Sequence, residues 1–203
     1  MAAAPAQRPR HNGVVRMFAA LVPPAEAVED LDAFLEPRRD AGDRLRWTDP
    51  DQWHVTLAFM ADVPERSLDR LVDELHEAVM GRGALSLRIR GAGAFPEVYD
   101  ARVLWAGVDG SPDALAALAR GVRRAAARAG ASPQGGPFHP HVTVARSRRP
   151  FESTRWLRVL DAYAGPAWTA AEVTLFASHL GEGHGHRPRH EPVAVVPLGE
   201  GDA

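Results

Sequence analysis

The chain has 203 residues, 24 Lys+Arg against 26 Asp+Glu for a net charge of −2, 45% hydrophobic residues and no cysteine. That length suits one domain or two closely joined lobes with a real core. The charge balance excludes a global basic field for nucleic acid, and the lack of Cys excludes a disulfide framework or Cys-ligated zinc. The 24 basic residues are arginines, so a local phosphate-binding patch remains open; an Ala/Arg/Gly bias is equally the mark of a GC-rich genome.

Residues 1–13 are rich in Ala, Pro and Arg. They lack the apolar stretch of a secretory signal and read as a disordered tail. Residues 14–203 read as one domain. No apolar run reaches the ~18 residues of a membrane span, so a soluble cytoplasmic protein is expected. A strand is predicted over Val14–Val22. Pro23 and Pro24 then open a helix to Leu35, with Val28, Leu31, Phe34 and Leu35 on one stripe. Asp49, Pro50 and Asp51 make a turn. A strand follows over Trp53–Met60, a helix over Pro64–Met80 with Leu68, Leu71, Val72, Leu75 and Val79 at helical spacing, and a strand over Leu85–Gly91. The order then repeats: strand Arg102–Val108, helix Pro112–Ala129, a Gly/Pro-rich loop, strand Phe138–Ala145, helix Ser153–Tyr163 and strand Val173–Ser178. A last strand covers Pro192–Leu198.

Each half carries one near-identical segment, His54-Val55-Thr56-Leu57 and His141-Val142-Thr143-Val144, 87 residues apart. Alternation along a strand puts His and Thr on one face. It puts Val55, Leu57, Phe59, Val142 and Val144 on the other. Two such faces would surround a small anion with two imidazoles and two hydroxyls. With an ordinary pKa near 6.5, one imidazole can activate water while the other protonates a leaving oxygen. The hydroxyls would hold nonbridging phosphate oxygens. No metal or other cofactor is needed for that scheme. The repeated layout favours an α+β fold of two lobes about a cleft. A parallel α/β sheet is the alternative, without a Gly-rich phosphate loop to support it.

Beyond the paired motifs, the segments RMFAALVPP (Arg16–Pro24), GAFP (Gly93–Pro96), RVLWAGV (Arg102–Val108), PFHPHVTVAR (Pro137–Arg146) and VTLFASHL (Val173–Leu180) carry a resemblance. The chain resembles the two-histidine phosphoesterases, specifically the RNA 2′,3′-cyclic phosphodiesterases also called 2′-5′ RNA ligases, from about Arg16 to Leu198. The resemblance implies a bilobal α+β fold with antiparallel sheets around a central cleft, and a monomer. It implies hydrolysis of RNA ends bearing a 2′,3′-cyclic phosphate to 2′-phosphates, with some members joining RNA ends through 2′-5′ linkages. It casts His54 as the acid for O3′, His141 as the base, and Thr56 and Thr143 as phosphate ligands. Arg146, Arg102 and Phe18 match recurring positions and are candidate substrate contacts. Strand parity sets Arg146 opposite His141, so it reaches a phosphate only where the strand twists or bulges. A C-terminal Tyr of the family has its nearest counterpart in His190, within the His-rich run GEGHGHRPRH over Gly181–His190.

Three rivals follow from the residues. His184, His186 and His190 could hold a transition metal, against a solvated Gly/His loop. The fold could serve as a noncatalytic nucleotide-binding module. The substrate could be a small cyclic nucleotide.

Overall fold

The structure, a computed structural model, describes residues 13–41, 45–183 and 187–199. Most of the expected tail, together with His184 and His186, lies outside them. Among the described residues nine strands form one antiparallel sheet: β1 (Val14–Leu21), β2 (Arg46–Trp47), β3 (Val55–Pro64), β4 (Leu85–Phe95), β5 (Ala101–Gly110), β6 (His141–Phe151), β7 (Ala164–Ala170), β8 (Glu172–His179) and β9 (Arg189–Pro197). Their order is β7-β4-β5-β6-β3-β1-β8-β9, with the short β2 beside β6. The helices are α1 (Ala25–Leu35), α2 (Leu68–Val79), α3 (Pro112–Arg128) and α4 (Thr154–Asp161). Every strand pairing is antiparallel, which removes the parallel α/β alternative.

The α+β expectation holds, but the sequence halves are not the lobes. The third strand of the first half, β4, pairs with β5 of the second. The third strand of the second half, β8, pairs with β1 of the first. The exchange gives one group β4-β5-β6 and a matching group β8-β1-β3. They meet where β3 touches β6, at the single pair Val55↔Val142. Both valines are fully buried.

The apolar stripes explain the helix positions. Leu71, Leu75 and Val79 of α2 are buried, as are Leu115, Leu118 and Val122 of α3, and the two helices pack on one another with α3 against β3. On the other group, α4 lies on β4 and α1 on β7. Strand β7 was not expected from AGPAWTA, because Gly165 and Pro166 break a strand pattern. It sits at the sheet edge, where a proline costs no interior ladder bond. The second motif strand starts at His141, not Phe138, because Pro137 and Pro140 have no N–H to donate to a ladder.

Two bulges correct the simple alternation. Along β1 and β3 the register runs Ala19↔Ala58 and then Ala20↔Thr56, which leaves Leu57 as the extra residue. Along β5 and β6 it runs Leu104↔Ala145 and then Trp105↔Thr143, which leaves Val144 extra. Each bulge comes one residue after a motif threonine, and each flips the parity beyond it. Leu57 and Ala58, like Val144 and Ala145, are therefore both buried. The carbonyl of each extra residue is satisfied from outside the ladder, as a buried acceptor requires. Arg123 Nε donates to Leu57 O at 3.2 Å, and the Thr48 N–H donates to Val144 O at 2.9 Å.

Candidate active site

The Val55↔Val142 pair fixes the centre. Antiparallel register about it sets His54 across from Thr143 and Thr56 across from His141, all on the face opposite the buried valines. All four line one cleft of about 520 Å³.

The two histidines are held alike. His54 Nδ1 lies 2.7 Å from Gln52 O, and His141 Nδ1 lies 2.6 Å from His139 O. A carbonyl can only accept, so Nδ1 carries the proton in each ring and Nε2 keeps its lone pair. Each imidazole is thus oriented by the backbone two residues before it. The proline-bearing turn at Pro50–Gln52 and the FHPH segment over 138–141 supply those carbonyls.

Aromatic rings fix the histidines from the sides. Phe18 stacks on His54 with centroids 4.5 Å apart, and Phe176 stacks behind Phe18 at 5.0 Å. His190 meets Phe18 edge-on at 4.8 Å and His54 at 5.6 Å. On the other side, Phe95 and Trp105 contact His141 at 5.1 and 5.6 Å.

The bulges decide which further side chains reach the cleft. Beyond Val144, Arg146 turns onto the face of His141 and Thr143 and lines the cleft. Its counterpart beyond the other bulge is Phe59, expected on the core side but also lining the cleft. Arg16 lies over the Phe59 ring at 4.3 Å and is a second cleft arginine. The sequence signal for Arg16 was its i, i+2 relation to Phe18, which puts both on one strand face.

These surroundings lower the proton affinity of the imidazoles. Burial pushes His54 down to about 4; the Gln52 carbonyl opposes the shift, while His190, His141 and Arg146 add to it. Burial also lowers His141, opposed by the His139 carbonyl and aided by Arg146. His190 is lowered by burial and then by Arg146 and Arg16. The cleft is electropositive, and its surroundings favour the neutral form of His54, His141 and His190 at pH 7.

His54, Thr56, His141, Thr143, Phe18, Arg146 and His190 come together, whereas Arg102 is exposed on β5 and does not line the cleft. Arg46, Trp47, Thr48, Gln52 and Arg187 also line it; they come from loops and a two-residue strand without a sequence signature. Among the described residues no cluster of three His, Cys, Asp or Glu is placed to hold a metal.

Two His-x-Thr strands joined side by side through a buried valine pair, at the centre of a strand-exchanged α+β sheet, define a two-histidine phosphoesterase. The chain belongs to the 2′-5′ RNA ligase superfamily, whose family model matches residues 22–182. It is 29% identical over 184 residues to the RNA 2′,3′-cyclic phosphodiesterase of Geobacillus stearothermophilus, a match that takes in 89% of this chain and 56% of that longer protein. It is 28% identical over 183 residues to the protein of the same name from Escherichia coli K12, across 88% and 93% of the two chains. The crystal structure of E. coli LigT in apo form superposes with a TM-score of 0.74 at 26% identity, covering 93% of this chain and 99% of that one. No helix among the described residues is long and apolar enough to cross a membrane.

Proposed function

We propose that this protein is a cytoplasmic, monomeric RNA 2′,3′-cyclic phosphodiesterase that yields 2′-phosphomonoesters by paired-histidine acid–base catalysis without a metal ion. One observation carries the reading: two backbone-oriented imidazoles, each across a strand pair from the other motif's threonine. Water attacks phosphorus as His141 Nε2 takes its proton. The P–O3′ bond breaks and His54 Nε2–H protonates O3′, leaving the phosphate on O2′. Thr56, Thr143 and Arg146 hold the nonbridging oxygens, and Phe18 with His190 forms the wall beside the sugar and base. His54 must gain a proton for this role. The phosphate anion supplies the opposite charge that favours the imidazolium, against the depression that burial imposes. The names of the relatives support the substrate class.

The test incubates a short RNA ending in a 2′,3′-cyclic phosphate with the protein and a chelator, beside 2′,3′-cyclic AMP alone. Mass spectrometry and phosphatase mapping should show a 2′-monophosphate on the RNA. A 3′-phosphate product, or turnover that chelation abolishes, overturns the mechanism; turnover of the mononucleotide alone overturns the RNA assignment.

A further inference from the structure

Four arginines line the large cleft, Arg16, Arg46, Arg146 and Arg187, and among the described residues no carboxylate lines it with them. In a chain of net charge −2 this is a local concentration of one sign. A 2′,3′-cyclic phosphate carries a single negative charge, so the cleft holds more cations than that group can use. Two of the four have other partners. Arg187 pairs with Asp49, and Arg16 lies over the Phe59 ring. Arg146 is the arginine placed with His141 and Thr143. Arg46 is left over.

Arg46 stands directly across β2 and β6 from Arg146. Side chains paired in this way leave their backbones about 5 Å apart, and like charges so placed are destabilising. The repulsion is felt at Arg146, whose proton affinity is lowered by burial and then by Arg46. Among the described residues no carboxylate pairs with either guanidinium. Arg46 is also exposed and free to meet a ligand. Two adjacent guanidiniums without a counter-ion are relieved when phosphates bind them, and each offers the planar fork that a phosphate accepts. Strand β2 is two residues long, and its ladder with β6 sets Arg46 beside Arg146.

We propose that Arg46 is a subsite for the phosphodiester immediately 5′ of the cyclic end, so that the protein takes an RNA strand in preference to a mononucleotide. The inference rests on the phosphodiesterase reading above and names the part of the strand that the cleft recognises. Arg146 holds the reacting phosphate, and Arg46 holds the next phosphate of the same chain. The contact is to the backbone and carries no base preference. No bond changes at Arg46, so it acts through binding alone and belongs to KM, not kcat.

The experiment compares two dinucleotides ending in a 2′,3′-cyclic phosphate, one with an ordinary internal linkage and one with a methylphosphonate, which is uncharged. In the unaltered protein the neutral linkage should raise KM about tenfold, the loss of one charge-assisted contact, with kcat within about twofold. Arg46→Gln should do the same to the ordinary dinucleotide and cost nothing further on the methylphosphonate, as two changes to one contact must. Glutamine keeps the backbone pairing of β2, and removing one of two like charges relieves their repulsion. In both cases the plot of log kcat/KM against log salt should flatten by about 0.7, the share of one single-strand phosphate. Equal KM for the two linkages in the unaltered protein overturns the subsite. So does an Arg46→Gln variant with no loss, or with the same loss on both linkages. Absence of turnover of the ordinary dinucleotide by the unaltered protein overturns the parent reading, and the subsite with it.

Discussion

Burial, His190, His141 and Arg146 favour a neutral His54 against the Gln52 carbonyl, and a phosphate reverses that preference. The proposed catalyst should therefore take up a proton as it binds phosphate near pH 7. Titration calorimetry in buffers of different ionisation enthalpy reads this uptake, and its absence would mean that the site accepts the anion on arginines alone. Because both histidines are depressed in the free protein, kcat/KM should peak below pH 6.5. Stability carries the same signature. Below pH 6.5 the unfolded chain binds a proton at His54 that the folded protein refuses until about pH 4. Stability from this group is full above pH 6.5 and is lost as pH falls to about 4, by up to ~3 kcal/mol. Urea midpoints measured across that window should fall less steeply for His54→Asn. Substituting His54→Ala or His141→Ala should each lower kcat by at least ~10²; near-normal turnover in either removes that residue from the chemistry. The four motif residues were legible in the sequence because i, i+2 placement is local. Arg146 was named through the resemblance, but its direction, like that of Phe59, was not readable, because it depends on bulges set by neighbouring strands.

Strands β4 and β5 show how an element serves the site without touching substrate. Gly93 pairs with Trp105, and a Cβ built on Gly93 would meet the Trp105 ring at 1.9 Å. The glycine makes room for an indole that in turn packs on His141. Two residues on, Phe95 contacts the same histidine. The GAFP segment thus acts as a mould for the His141 ring. Gly93→Val should displace the indole, costing about 1–3 kcal/mol as overpacking does. It should also lower kcat about tenfold or more through misplacement of His141, the proposed base. A denaturation series beside single-turnover rates on folded protein separates the two effects; unchanged rates would make Trp105 a packing residue only. The segment was readable as a motif, but its purpose required the cross-strand pairing. Strand β7 was hidden for the opposite reason: its proline contradicts an interior strand, and only its edge position explains it.

At the scale of the whole molecule, the order of elements was legible and the exchange of third strands was not. Periodicity reports local faces, whereas β4 on β5 and β8 on β1 are choices between distant partners. Each group of strands draws on both halves of the sequence, so neither half owns a complete core. Fragments 1–100 and 101–203 should each lack a cooperative urea transition by circular dichroism, while the full chain unfolds in one step. A cooperative transition in either fragment would show that the exchanged strands are dispensable for its core.

The valine pair that joins β3 to β6 also constrains ancestry. An approximate two-fold axis passes between Val55 and Val142, and each side offers one imidazole, one hydroxyl and one borrowed strand. A half-length forebear with a single His-x-Thr segment could not have formed this pocket alone. It would have needed a second copy of itself, docked edge to edge and trading its last strand. Arg146 on one side and Phe59 on the other, each two residues past its bulged residue, give an otherwise symmetric pocket a distinct front and back.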